Sequence, residues 1–367
     1  MKNTGIYIHI PFCERKCPYC DFFSKKGSPA LYDEYTDRMC EKIVTSPYKG
    51  KIIADTLYFG GGTPGLIGAE RIARLIGAVR QSFCIDTDNA EVTVELNPGG
   101  EEMDFALLKS AGVNRISFGL QSAVDNELKV LGRRHSRDDV IRCTDYARKA
   151  GFENISLDLM IAVPGQTLES LHESVRFCID QGAEHISAYI LKIEEGTLFY
   201  RRKDSLSLPD DDETAGMYEY LCKLMKENGY QHYEISNFCK SGHEGRHNLK
   251  YWHDEEYLGF GPAAHSFIDG RRFYCPRSFD SFYKDEIIDD GEGGSEEEYI
   301  MLGLRLAEGI VSTRFRERFG YDIPQHYLRK CKALTQAGLV HILPDGGFAL
   351  TEKGFLVSNA VIAKLTK

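Results

Sequence analysis

Short β-branched and aromatic runs alternate with longer amphipathic stretches over the first two-thirds of the chain. The runs are Gly5 to Ile10, Thr56 to Phe59, Glu91 to Leu96, Arg115 to Gly119, Ile155 to Met160 and His185 to Ile190. Between and after them, apolar residues recur at helical spacing over Ala30 to Val44, Ala69 to Phe83, Asp104 to Ala111, Asp138 to Ala150, Leu168 to Gln181 and Asp212 to Asn228. Strand and helix in alternation predict βα units and a parallel sheet. Six such units fall short of a closed eightfold barrel, so the expected fold is α/β, an open or partial (βα)6 TIM-like barrel with its ligands at the carboxyl ends of the strands.

Past the sixth unit the pattern changes. Leu206 to Asp212 reads as a loop that caps the next helix, and Tyr233 to Phe238 as one more strand. Arg246 to Trp252 lies in a polar, glycine-flanked segment, and Gly259 to Ser266 reads as a second glycine-rich turn. Asp285 to Glu298, acidic and glycine-containing, is the clearest linker. Helical patterns over Glu296 to Ala307 and Gln325 to Ala337 follow. Two short strands then flank Asp345-Gly346-Gly347, with a closing helix from about Thr351. That order predicts a small α+β, winged-helix-like module. The expected division is 1–230 for the partial barrel, 231–290 for a connecting segment packed on it, and 291–367 for the tail.

Composition narrows the function. A net charge of −10 over 367 residues argues against a nucleic-acid partner held through its phosphates. The tail, with ten Lys and Arg against eight Asp and Glu from Ser295 onward, is near neutral, which favours a lid or a protein contact over a DNA site. Eleven cysteines, no signal-peptide pattern at Met1 to Thr4 and no long uncharged apolar segment predict a reducing cytoplasm and no membrane anchor. Cys143, Cys178 and Cys222 sit in helical stretches and read as small buried hydrophobes.

The chemistry concentrates after the first strand. Cys13, Cys17 and Cys20 stand at C-x-x-x-C-x-x-C spacing. Three thiolates can hold three corners of a [4Fe-4S] cluster and leave the fourth iron open. An open iron suits the amino and carboxylate groups of S-adenosylmethionine. A structural zinc site is the alternative, but it needs a fourth Cys or His at a nearby fixed offset. Tyr19 and Phe22 fit a shell that keeps water from the cluster, or ordinary core. Gly60-Gly61-Gly62-Thr63-Pro64 follows the second run, where absent side chains let backbone N–H groups approach a ligand. Glu95, Gln121 and Asp158 are polar residues at the ends of later strands, and Arg133 is placed to pair with a carboxylate. A neutral imidazole at His247 or His265, among aromatic residues, is a candidate axial ligand for haem, and Cys275 is a further one.

The cluster motif, Gly60 to Pro64, Val94 to Pro98, Ser117 to Ser122 and Leu157 to Met160 together resemble the radical S-adenosylmethionine family around oxygen-independent coproporphyrinogen III oxidase. Within it the chain looks like the haem-chaperone branch. The oxidase has a further cysteine two positions after the third ligand, where this chain has Phe22, and a long extension before the cluster. His247-Asn248-Leu249-Lys250-Tyr251-Trp252 is similar to the H-N-x-x-Y-W motif that the chaperone branch associates with haem. The resemblance implies that Cys13, Cys17 and Cys20 hold the cluster and that Tyr7, Gly61, Gly62, Thr63 and Glu95 lie along S-adenosylmethionine. Gln121, Arg133 and Asp158 match nucleotide or second-cofactor positions, and Tyr19 and His247 complete the cofactor set. The function it implies is haem binding and delivery to a haem-requiring, respiratory protein at the membrane. The alternatives are oxidative decarboxylation of coproporphyrinogen III and group transfer by a related radical enzyme.

Overall fold

The structure, a computed structural model, describes residues 1–85, 89–99 and 103–366. Its first seven strands are β1 (Lys2–Ile10), β2 (Ile52–Gly61), β3 (Cys84–Ile85), β4 (Glu91–Leu96), β5 (Arg115–Gln121), β6 (Ile155–Ile161) and β7 (His185–Ile190). The six runs read from the sequence are therefore strands, and each expected helix is present within a residue or two: Pro29–Val44, Gly68–Ser82, Phe105–Ala111, Arg137–Lys149, Leu168–Asp180 and Asp211–Glu227.

Parallel strands covered by helices have one apolar face, and here the other face is polar. Along β1, Ile6, Ile8 and Ile10 are fully buried, while Tyr7 and His9 point the opposite way, as the twofold period of a strand requires. The same alternation puts Leu57 and Phe59, Val92 and Val94, Ile116 and Phe118, and Leu157 and Leu159 into the helix-covered core. Tyr58, Glu95, Ser117, Asp158 and Ser187 are left lining the inside. The sequence thus builds a half-barrel whose interior can bind a polar ligand.

The segment after residue 230 extends this sheet at both edges. β8 (Gln231–Glu234) and β9 (Asn237–Cys239) add to β7, and β10 (Tyr257–Phe260) pairs in parallel with β1, carrying β11 (His265–Ile268), β12 (Arg271–Tyr274) and β13 (Ile288–Glu292) with it. Three sequence expectations are corrected here. Tyr233 to Phe238 is not one strand: the chain turns at Ile235-Ser236, so that the Ser236 N–H reaches the buried Glu234 carboxylate at 3.1 Å. Gly259 to Ser266 is not all turn, because Gly259 lies inside β10. A Cβ there would stand 2.2 Å from the His265 carbonyl oxygen, so this glycine serves close strand approach. Asp285 to Glu298 is not a linker: its acids belong to an exposed edge strand, to an ion pair of Asp285 with Arg38, and to the first turn of the helix Glu296–Gly303, where negative charge suits the helix dipole.

The tail runs helix Ser312–Phe319, helix Gln325–Gln336, then the hairpin β14 (Val340–Ile342) and β15 (Phe348–Leu350), with Ile310 bridging Phe348 as a third strand. This is a winged-helix order, and the expected closing helix is split into Glu352–Leu356 and Ser358–Thr366. Cys178 and Cys222 are buried as expected; Cys143 is half-buried. Among the described residues no helix is long and apolar enough to cross a membrane.

Asp254 ties tail to barrel. Its side chain is fully buried, accepts from Arg272 of β12 at 2.9 Å, and pairs with Arg318 of the helix Ser312–Phe319. Removing Asp254 leaves Arg318 without its acid and Arg272 with Glu298 alone, at about 3 kcal/mol. Asp254→Ala should lower the urea midpoint accordingly. A midpoint unchanged from the parent would show that the two arginines find solvent instead.

Candidate cofactor site at the carboxyl ends of the parallel strands

The loop after β1 is clamped at its base. Phe12 is fully buried among Tyr32, Tyr35 and Phe279, the Cys13 N–H donates to the Lys25 carbonyl at 3.0 Å, and the Lys25 N–H returns to Pro11 at 2.9 Å. Between these anchors Cys13, Cys17 and Cys20 are displayed at the rim of a cavity of about 380 Å³.

The glycines beside it act differently from expectation. The Gly62 N–H donates to Ile10 and the Thr63 N–H to Phe12, at 2.9 and 2.7 Å, while the Gly61 N–H is taken by Glu95. These amides are thus used inside the protein and do not wait for a ligand. The missing side chains matter for another reason. A Cβ on Gly62 would come within 2.5 Å of the Phe12 carbonyl, and one on Gly61 within 2.4 Å of the His9 ring. His9 itself is fixed from both nitrogens, by the Tyr7 hydroxyl at 2.9 Å and the Phe23 carbonyl at 3.0 Å, and burial lowers its pKa to about 4.

A chain of side chains joins two of the cysteines. Thr63 Oγ1 lies 3.6 Å from Cys13 Sγ and accepts from Asn97 Nδ2 at 2.8 Å. Asn97 Oδ1 accepts from Arg133 at 2.6 Å, and the Arg133 guanidinium reaches Cys17 Sγ at 3.8 Å. Arg133 also donates to the Gly119 carbonyl at 2.6 Å, so it is neither a solvated cation nor paired with a carboxylate as expected. Asn97 was not singled out for a role, although its place next to Pro98 at the end of a strand marks it in the sequence. Arg134 is the ordinary surface cation, paired with Glu14. Tyr19 packs on Phe199 and burial pushes its phenol up, while Phe22 lines the same cavity but is 63 % exposed.

Among the described residues, no fourth Cys and no His lines this cavity, and no three Cys, His, Asp or Glu side chains converge on one ion. A single zinc would need such convergence. A cubic cluster does not, because each thiolate binds its own iron. Burial raises the Cys20 thiol, a penalty that bonding to iron would relieve. The donor set therefore fits an iron-sulfur cluster with one open corner.

Deeper in the barrel, Glu95 accepts from the Tyr58 hydroxyl at 2.7 Å, and burial, with the nearby Asp158 charge, raises its pKa to about 7. Asp158 accepts from Ser117 at 3.0 Å and is likewise raised by burial. Gln121 enters the cavity through a bulge in β5 and holds φ at +68°, a conformation that costs a non-glycine residue about 1–2 kcal/mol. Tyr7 does not line the cavity; its ring stacks on Tyr58 at 6.2 Å.

The floor is the helix Arg246–Trp252, which the sequence did not predict. Glu91 caps it, accepting the N–H groups of Arg246 and His247 at 3.0 and 3.1 Å, and the buried Lys250 pairs with Asp55 at 2.8 Å. His247 is 1 % exposed. Its Nδ1 is bonded to Thr56 Oγ1 and its Nε2 to the Tyr251 hydroxyl, both at 2.8 Å, and burial holds its pKa near 3. In this conformation both ring nitrogens of His247 are hydrogen-bonded and its side chain is buried, so a haem iron would reach it only if the helix left its seat. Asn248, the next residue, does face the cavity. His265 is exposed and stacks on Tyr274, and Cys275 is buried; neither joins the site.

The comparisons agree with this geometry. Residues 7–178 match the radical SAM superfamily and 297–357 the HemN C-terminal domain. The chain is 38% identical over 375 residues to the heme chaperone HemW of Bacillus subtilis (strain 168), covering 98% of each. It is 36% identical to heme chaperone HemW of Escherichia coli (strain K12), covering 99% of this chain and 98% of that one. The chain belongs to the HemW family. Radical S-adenosyl methionine domain-containing protein 1, mitochondrial, of Danio rerio is 31% identical over 98% of this chain and 86% of its own. The coproporphyrinogen III oxidase HemN of Escherichia coli superposes with a TM-score of 0.85 at 20% identity, covering 100% of this chain and 90% of that one, which shows the shared fold. The HemW family's place among the radical SAM proteins implies a [4Fe-4S] cluster and S-adenosylmethionine as its cofactors.

Glu95 gives a test with a definite sign. Its carboxyl is harder to ionise folded than unfolded, so its contribution to stability is greatest below the unfolded value near 4.5 and is lost as pH rises through about 7. Glu95→Gln should therefore raise the melting temperature of the cofactor-free protein at pH 8 relative to the parent, and leave it nearly unchanged at pH 4. Equal effects at both pH values would contradict the assignment.

Proposed function

We propose that this chain is a haem chaperone that carries a [4Fe-4S] cluster and S-adenosylmethionine, binds haem and delivers it to a haem-requiring protein. The reading is carried by likeness over nearly the whole chain to proteins named heme chaperone HemW. Cys13, Cys17 and Cys20 would hold the cluster. Glu95 would accept the ammonium of S-adenosylmethionine, with Gly61, Gly62 and Thr63 alongside and Gln121, Arg133 and Asp158 toward its nucleoside. Tyr19, which lines the cavity, would stand beside the cluster, and Tyr7 would support Tyr58 from behind. When bound together, the cluster and S-adenosylmethionine would supply one-electron cleavage of the sulfonium. The protein residues orient the cofactor and keep water from it.

The acceptor we propose is a respiratory protein at the membrane, met in the cytoplasm, and no nucleic acid is a partner. Radical decarboxylation of coproporphyrinogen III is the second reading, favoured by the buried polar set Glu95, Gln121 and Asp158 inside the barrel. Anaerobic incubation of reconstituted protein with coproporphyrinogen III separates the two. The chaperone reading expects haem uptake without protoporphyrinogen formation, and product formation would replace it by the oxidase.

Two variants probe the cofactors. Cys17→Ala should lose cluster iron and sulfide while keeping the far-ultraviolet dichroism of the parent; an unchanged iron content would remove this cysteine from the ligand set. His247→Ala should cost about 3 kcal/mol of stability through its two lost hydrogen bonds and the space left behind. Haem titration of that variant should leave the Soret spectrum unaltered if haem is bound with the floor helix in place. A lost Soret shift at unchanged melting temperature would instead put the axial ligand on His247 and require that helix to leave its seat.

A further inference from the structure

The cavity that the three cysteines rim runs down to the opposite end of the parallel strands, and its floor holds a cation without a partner. Arg115, the first residue of β5, lines the cavity there together with Glu91, Gly245 and Asn248. Its Nη2 reaches the start of the floor helix, 3.7 Å from the place a Cβ would take on Gly245. The side chain is 5 % exposed, and Nη1 is wholly buried with no hydrogen-bond partner among the described residues. The acids that share the cavity are engaged elsewhere. Glu91 accepts two helix N–H groups at 3.0 and 3.1 Å, Asp158 accepts from Ser117 at 3.0 Å, and Glu95 from Tyr58 at 2.7 Å. His185, whose imidazole the Arg115 charge helps to keep neutral, is bonded at both nitrogens, to Ser156 at 2.8 Å and to Tyr233 at 2.7 Å. The Asn248 amide faces the same cavity, also without a hydrogen-bond partner among the described residues.

A guanidinium has five N–H donors and no acceptor, so an acceptor must complete it, and a carboxylate matches its forked geometry best. Water would satisfy single N–H groups and leave the buried charge unmatched. We propose that Arg115 and Asn248 form a subsite for a ligand carboxylate at the barrel floor, and that this carboxylate is a propionate side chain of the porphyrin. The proposal rests on the haem reading above and names the residues that would recognise the acid edge of the cargo. Position separates this subsite from the carboxylate of S-adenosylmethionine, which belongs with the open iron at the cysteine rim. Arg115 and Gln121 are the two ends of the seven-residue β5, about 20 Å apart at the usual rise of a strand. Pairing a propionate with Arg115 would leave neither charge buried alone.

The test uses the full chain with haem and haem dimethyl ester as probes, the ester keeping ring and iron but lacking both carboxylates. Titration followed at the Soret band should show the wild type binding haem about tenfold or more tightly than the ester. Arg115→Met should weaken haem to the level of the ester, so that the preference disappears. Arg115→Lys, which keeps the charge, should retain part of it, and Asn248→Ala should narrow it. Far-ultraviolet dichroism matching that of the parent establishes that the variants are folded, and the comparison of the two probes on the wild type does not depend on them. Equal affinity for both probes in the wild type, or an undiminished preference in Arg115→Met, overturns the proposal and leaves the chaperone reading standing. Absence of haem uptake by the wild type removes that reading and the proposal with it. Weaker binding of S-adenosylmethionine to reconstituted Arg115→Met, with the preference for haem over its ester kept, gives the carboxylate to the cofactor and also overturns the proposal.

Discussion

The contact between the backbone at Gly62 and the carbonyls of Ile10 and Phe12 is the constraint on which the site depends. Parallel pairing of β1 with β2 brings Gly61 opposite Ile10, and the next two amides continue the ladder past the ends of both strands. Only a residue without a side chain can lie this close, since a Cβ at position 62 would stand 2.5 Å from a carbonyl oxygen. The cysteine loop is thereby held against the rim of the barrel, and Thr63 is carried to within reach of Cys13. From Thr63 the chain of contacts through Asn97 and Arg133 returns to Cys17, so one backbone approach sets the spacing of two sulfur donors.

The interior of the half-barrel follows a second rule, that buried charge is tolerated only where each group finds a partner. Glu91 is neutralised by the amino end of the helix Arg246–Trp252, and Lys250 by Asp55 and Glu255. That helix closes an opening which six βα units leave uncovered. Its motif residues His247, Lys250 and Tyr251 are used in seating it, and Asn248 is the one that faces the cavity. The segment His247 to Trp252 therefore has, in this conformation, the work of a floor.

The two sides of the cysteine loop differ in charge. Inward lie carboxyl groups whose ionisation burial opposes, foremost Glu95, and outward lies a groove of unpaired cations. A cluster at that loop would sit between a chamber lined by carboxyl groups and a surface lined by cations. The loop follows β1, which lies inside the sheet between β10 and β2, at the mouth of the barrel.

The sequence by itself determined the strands and helices of the barrel, the cysteine spacing, and the polar residues at strand ends, because period and local turn chemistry are carried by neighbours along the chain. It also determined the likeness to a family, through motifs that are contiguous. What it could not decide was contact between distant segments. Gly259 reads as a turn until β11 is seen to cross it, and the acids of 285–298 read as a linker until β12 is seen to pair with them. His247 reads as a free ligand until Thr56 and Tyr251 are seen to hold both its nitrogens. Whether a polar side chain is a ligand or a strut depends on what stands within three ångströms of it, and for residues 191 positions apart only the folded chain settles that.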